Sequence, residues 1–162
     1  MNREGFSMHA FKHMIYLLCL AVLAACAGAP TQQMADARME LKAAEEAGAK
    51  ENAQESLLRA RKTLSIAEQQ LELGNYYDAR VAADKARDEA TNARLVALAI
   101  TSAKEVIARA QKINADLTTA REALQAAQQA AQLNKMDRAL SEAIQAEELA
   151  IKAERNAKAK NE

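Results

Sequence analysis

Apolar positions recur along this chain at intervals of three and four, the spacing that places them on one face of a helix. Met34, Ala37, Leu41 and Ala44 form a first stripe, and Leu57, Ala60, Leu64, Ala67 and Leu71 a second. Ala79, Ala83, Ala86, Ala90, Ala93 and Ala97 continue it, followed by Ala110, Ile113, Leu117, Ala120, Leu124 and Ala127. The last stripe is Ala139, Ala143, Ala146, Ala150, Ala153 and Ala157. Stripes sustained in this way are seams between helices. Alanine knobs let two helices approach closely, but each buries little area, and at about 0.8 kcal/mol per buried carbon many contacts must add up along long helices. The pattern therefore predicts an all-α chain of elongated antiparallel helical hairpins, a coiled-coil bundle with alanine-rich seams.

The punctuation between stripes is sparse. Thr31 is expected to cap a first helix over residues 31–47, and Gly48 to end it. Asn52 to Glu55 reads as a capping box for a second helix running to Leu73. Gly74 suits a left-handed turn, with Asn75 as the next cap and Asp78 in the first turn. No glycine follows Gly74 and no proline follows Pro30. One helix is thus expected over residues 75–133, about 85–90 Å long. The rival is a break at Asn114-Ala115-Asp116 with the chain folding back into a compact bundle.

The sequence also repeats itself. Residues 57–94 align with 117–154 at an offset of 60, with Leu57, Ala60, Leu64, Ala67, Leu73, Ala79, Ala83, Ala86 and Ala90 matched. Leu133 stands where Leu73 does, and Asn134, which tolerates the left-handed region, takes the place of Gly74. This divides the chain into a first hairpin module over 31–100 and a repeat-related second over 101–162. The second lacks the tyrosine pair Tyr76-Tyr77 and has Met136 and Asp137 instead.

The segment before the first stripe differs in kind. Ile15 to Ala25 is apolar without interruption, preceded by Arg3 and Lys12 and followed by Cys26. Eleven residues are too few to cross a bilayer core, which needs about 20. A positive start, a short apolar run and small residues at its end read as a secretory signal over 1–25. Leu23, Ala24, Ala25 and Cys26 resemble a bacterial lipobox, in which the cysteine thiol receives a diacylglyceryl group and becomes the first residue of the mature protein. An unmodified cysteine after an ordinary signal and a short membrane anchor are the other readings. Met8 is an alternative start to Met1. Residues 26–30 are then a tether, and a residue other than aspartate after the cysteine, here Ala27, implies by the same resemblance the inner leaflet of the outer membrane, facing the periplasm.

Removing the signal changes the chemistry available. His9, His13, Cys19 and both phenylalanines leave with it, and the remaining chain has 20 basic and 21 acidic residues. A single cysteine forms no disulfide within the chain, and without histidine there is no Cys/His zinc site and no His-assisted nucleophile. Balanced charge offers no basic patch for nucleic acid. No catalytic, cofactor or metal residue is expected. Glu45 with Glu46 and Glu147 with Glu148 are adjacent on a helix, about 100° apart, and cannot converge on one substrate atom. Lys158 and Lys160 precede Asn161-Glu162, so attachment through a terminal lysine, as in the murein lipoprotein, is not expected. Tyr76 and Tyr77 either staple their turn or form a contact point.

A lipobox, a first helix ending "EEAGA" and then "RARKTLSIAEQQLELGNYYDARVAADKARDEA" resemble the bacterial alanine-rich envelope lipoproteins of the domain-of-unknown-function 4398 family, over about residues 31–100. The resemblance implies a helical module, often encoded with or joined to outer-membrane-protein-A-like, peptidoglycan-binding domains; no such domain is visible in this sequence. "GNYYDA" and the alanines after it also resemble the second helix of a tetratricopeptide repeat, but a 60-residue period does not match the usual 34. The expected function is a non-enzymatic, lipid-anchored scaffold, spacer or adaptor of the bacterial envelope. Its partners would be the membrane, through the lipid, and an envelope protein of outer-membrane-protein-A-like type, with a homo-oligomer left open. The alternative is a periplasmic chaperone or carrier for outer-membrane proteins or lipids. Antiparallel packing of the first two helices further places the Gly74 turn on the tether side, where tyrosines suit a headgroup interface, and the Asn134 turn at the far tip.

Overall fold

The computed structural model describes residues 28–161. Among them are six helices and no strands: α1 (Thr31–Glu46), α2 (Ala49–Asn52), α3 (Gln54–Glu72), α4 (Tyr76–Gln111), α5 (Thr118–Gln132) and α6 (Met136–Asn161). The all-α expectation holds. The buried side of each long helix is the alanine stripe read from the sequence: Ala60 and Ala67 in α3, Ala79 to Ala97 in α4, Ala120 and Ala127 in α5, Ala139 to Ala150 in α6.

The 36-residue α4, about 54 Å long, is the spine. Against its first half lie α1 and α3. The pairs Arg38–Glu68 (2.8 Å) and Arg61–Glu45 fix α1 and α3 antiparallel, and Arg94–Glu40 ties α1 to α4. Met34, Ala37, Leu64, Ala67, Ala83 and Ala86 fill the space between these three helices. Against the second half of α4 lie α5 and α6, with Ala103, Ala123 and Ala146 in contact and Val106, Ile107, Ala110, Leu117, Ala120 and Ala150 beyond them. Arg109 reaches Glu154 at 3.2 Å. The molecule is thus two three-helix bundles end to end, sharing one continuous helix. They meet in a cluster where Ala44, Ala49, Ala53 and Leu57 join Val96, Ala97, Ile100, Ala127, Ala131, Ala139 and Ala143. Leu57, Val96 and Ile100 are among the few large side chains fully buried, so this junction carries a large share of the apolar burial in an alanine-rich core.

The internal repeat is present in the backbone. The Gly74 N–H donates to Leu71 O and Asn75 N–H to Gln70 O; Asn134 N–H donates to Ala131 O and Lys135 N–H to Ala130 O. Both are Schellman ends with a left-handed residue, Gly74 at φ 75 and Asn134 at φ 54. Gly48 (φ 82) and Asn114 (φ 55) occupy equivalent places after the first helix of each bundle. Met34, Ala37, Leu41 and Ala44 of α1 stand as Ile100, Ala103, Ile107 and Ala110 do in the second half of α4.

Several sequence expectations are corrected. Residues 75–133 are not one helix. The last turn of α4 tightens through Lys112 N–H to Arg109 O and Ile113 N–H to Ala110 O. Asn114 then turns left-handed, with Ala115 N–H closing on Ala110 O. The stripe that runs through Ile113 to Leu117 folds back on itself rather than continuing. The fold-back does not yield a compact globule either, because α6 runs past the end of α4; the length from the Gly74 turn to the end of α6 is about 60 Å at 1.5 Å per residue. The Asn134 turn is not at the far tip but at the junction, since Ala131, Ala139 and Met136 pack there; the far end is formed by the Asn114 turn and the C-terminal part of α6.

The caps differ too. Pro30 holds the N-cap position of α1, its ring fixing φ at −77, and Thr31 is already helical. Asn52 caps nothing. Its side chain donates to Thr101 Oγ1 (3.1 Å) and accepts from Lys104 Nζ (2.6 Å), tying the α1–α3 connection to the spine. Asn75 precedes α4 as expected but its side chain bonds Gln70 rather than capping (2.8 Å).

Candidate functional site

Cys26 and the lipobox residues Leu23, Ala24 and Ala25 lie outside the described residues. What the structure does place is the end of the molecule from which they depart. Pro30 is buried, and Ala29 and Gly28 before it are exposed. Met34 packs in the cluster that Leu71 also touches, so the start of α1 lies beside the end of α3 and the Gly74 turn. The described chain therefore begins at the same tip as Tyr76 and Tyr77.

That tip is the most apolar exposed surface of the turns. Every residue from Glu72 to Asp78 is exposed. Leu73 is 71% exposed, Tyr76 39%, Tyr77 78% and Val81 51%. Tyr77 and Val81 are one helical turn apart on α4 and face water. Little of the Tyr77 ring is left to staple the turn; the turn is held by backbone, with Tyr76 N–H donating to Gly74 O at 2.9 Å in addition to the Schellman pair. Leu73 and Val81 complete a patch of which the sequence reading singled out only the tyrosines. Val81 carried a usable signal, since it is a large apolar residue off the alanine stripe of α4.

Glu45 and Glu46 diverge as expected. Glu45 accepts from Arg61 and lies 3.8 Å from Lys50, while Glu46 turns away to Lys42 at 3.6 Å. The Arg61 hydrogen bond holds the Glu45 carboxyl below its usual value, against a smaller opposing effect of burial. Glu154 is lowered by Lys158 first and by Arg109 second. Asp116 is lowered by accepting from the Thr118 N–H and hydroxyl, which fastens the start of α5. Lys158 is engaged with Glu154 at 2.8 Å. Glu45, Glu154 and Lys158 are thus held in ion pairs, and Asp116 in a hydrogen-bonded turn. No cluster of three or more potential metal ligands exists among the described residues.

Open grooves interrupt the surface, two of them at the far end and at the junction. One, about 560 Å³, lies at the far end between the Asn114 turn and α6, lined by Ile113, Asp116, Leu149, Lys152, Asn156 and Lys160 among others. The other, about 480 Å³, lies at the junction between α2, α3 and α5, lined by Glu51, Asn52, Glu55, Leu58, Gln128 and Gln132 among others. Side-chain polar atoms that are fully buried are all hydrogen-bonded among the described residues.

Comparison with protein-family models, with curated proteins and with solved structures finds no match to this chain. The resemblance to alanine-rich envelope lipoproteins therefore rests on the residues quoted for it.

Proposed function

We propose that this chain is a lipid-anchored helical scaffold, spacer or adaptor of the bacterial cell envelope, without enzymatic activity. The observation that carries the reading is Leu23-Ala24-Ala25-Cys26 closing an apolar run, four residues before the buried Pro30 from which a helical rod begins. The rod supports it. A shared 36-residue helix fixes the two bundles at a set separation, which is what a spacer requires. Among the described residues the alanine seams are filled by their own partner helices, and the grooves at the far end and at the junction are lined mainly by polar side chains. The envelope partner would be met along the rod's flank or at its far end.

The test is Cys26→Ala expressed in a two-membrane bacterium. The wild-type chain should fractionate with the outer membrane and take up radiolabelled fatty acid, and the variant should be released or remain uncleaved. Membrane association unaffected by the substitution excludes the anchor. Crosslinking in intact cells then separates an adaptor, with one recurrent partner, from a chaperone, with many outer-membrane clients.

A further inference from the structure

The two bundles are built alike, which makes their differences informative. The turn between α5 and α6 in the second bundle occupies the same place as the Gly74 turn in the first. In the second bundle Met136, in the position of Tyr76, is half-buried against the junction cluster where the first bundle meets the second, while the leucine before the turn, Leu73 or Leu133, is exposed in both copies alike. In the first bundle the equivalent face has no preceding bundle to meet. It nevertheless presents Leu73, Tyr76, Tyr77 and Val81, whereas Asp137 and Ser141 stand at the places of Tyr77 and Val81. The helix start that docks through Met136 in one copy carries the added apolar side chains Tyr77 and Val81 in the copy where nothing described covers it.

What lies beyond that face is given by the chain itself. The second bundle is preceded there by a continuous helix from the first. The first is preceded only by residues 26–29, with Cys26 as the lipid-bearing first residue on the anchored reading. We infer that the Gly74 tip, through Leu73, Tyr76 and Tyr77, rests on the headgroup region of the membrane that holds the N-terminus. The inference depends on the anchored reading above and adds an orientation to it. Ala27 to Pro30 reach at most about 14 Å when extended, so an anchor at Cys26 keeps this tip at the bilayer surface. Tyrosine, with an apolar ring and a polar end, is the side chain enriched at that depth. Glu72 and Asp78 flank the patch and are exposed, which limits insertion to the headgroup level and excludes the acyl interior. The rod then stands away from the bilayer, with the Asn114 turn and the far groove pointing into the compartment.

The experiment uses the mature lipidated protein in vesicles of phosphatidylethanolamine and phosphatidylglycerol. The chain has no tryptophan, so Tyr77→Trp and Met136→Trp each give a single probe. Tyr77 is exposed and its replacement leaves packing intact; Met136 is about 25 Å farther along the spine. Flotation with the vesicles is scored first, and failure to float overturns the anchor and this inference together. In floating protein, lipid-borne quenchers near the headgroup should quench the probe at 77 several-fold more than the probe at 136, and more than quenchers deep in the chains do. Equal quenching at the two positions, stronger quenching at 136, or none at 77 overturns the orientation and leaves the anchor standing. A probe at 77 that is shielded from lipid quenchers but becomes accessible on dilution of the protein assigns the patch to a second copy instead, and also overturns it.

Discussion

At the scale of single residues, four backbone positions decide where this chain turns: Gly48, Gly74, Asn114 and Asn134, all left-handed. An added Cβ at Gly74 would meet nothing within 4 Å, so the cost of a side chain there is conformational and not steric. Gly74→Ala should therefore cost about 1–2 kcal/mol, the penalty for an ordinary residue in that region, and Gly74→Asn clearly less. Urea unfolding of the two variants checks this, and equal midpoints for both and wild type contradict the turn. The depressed carboxyls set the acid response. Glu45, Asp116 and Glu154 have folded values below their usual ones, so the unfolded chain takes up protons first as pH falls. Stability should be level above about pH 5 and decline as the pH drops through 4.5, the ordinary glutamate value, and onward through the lower folded values. Arg61→Gln should flatten the part of that decline due to Glu45, whose partner it is. Thermal melts between pH 3 and 7 show whether it does.

At the scale of elements, much was legible. The seams at Ala60, Ala67, Ala83, Ala90, Ala127 and Ala146 are buried as their spacing demanded, because a three-four period in a chain of strong helix formers has only one packed solution. The turns at Gly74 and Asn134 were legible from the repeat. The break after Gln111 was only half so. The stripe Ala110, Ile113, Leu117 and Ala120 keeps its period through the break, and helix propensity alone favours continuing. What wins is tertiary: α5 buries Leu117, Ala120 and Ala123 against the same α4 from which it departs, which a straight helix would leave in water. Caps were the least legible, because Asn52 bonds across to the spine and Asn75 bonds back to Gln70 in the last turn of the preceding helix. The close approach of α4 to its neighbours carries a prediction. Ala90 is fully buried on the spine, and Ala90→Leu adds carbons where none fit, at about 1–3 kcal/mol, measurable as a lowered denaturation midpoint with helical circular dichroism retained. An unchanged midpoint would mean the seam is looser than its burial indicates.

At the scale of the molecule, the shared helix makes the two bundles one cooperative object. Each bundle has a core rich in alanine with a few larger side chains, Met34 and Leu64 in the first and Val106, Ile107 and Leu117 in the second, and Leu57, Val96 and Ile100 join the two at the junction. Leu57 belongs to α3 of the first bundle yet packs in the cluster that includes Ala127, Ala131 and Ala143 of the second. Leu57→Ala should cost about 2–5 kcal/mol, a large share of the roughly 5–15 kcal/mol that a domain commonly has. The distribution of that loss is the informative part. If the bundles were independent beads on a string, amide exchange would quicken in α1, α3 and the first half of α4 alone. Because α4 runs unbroken from Tyr76 to Gln111 and its middle is seated in the junction, loosening the junction releases the helix to which α5 and α6 are also packed. Exchange should therefore quicken in α5 and α6 as well, by a similar factor, with a single unfolding transition kept. Leu149→Ala, at the far end and outside the junction, should instead accelerate exchange mainly in α5 and α6. Protection in α5 and α6 that is untouched by Leu57→Ala would show two bundles that fold separately, and a spacer that is jointed at its middle and not stiff.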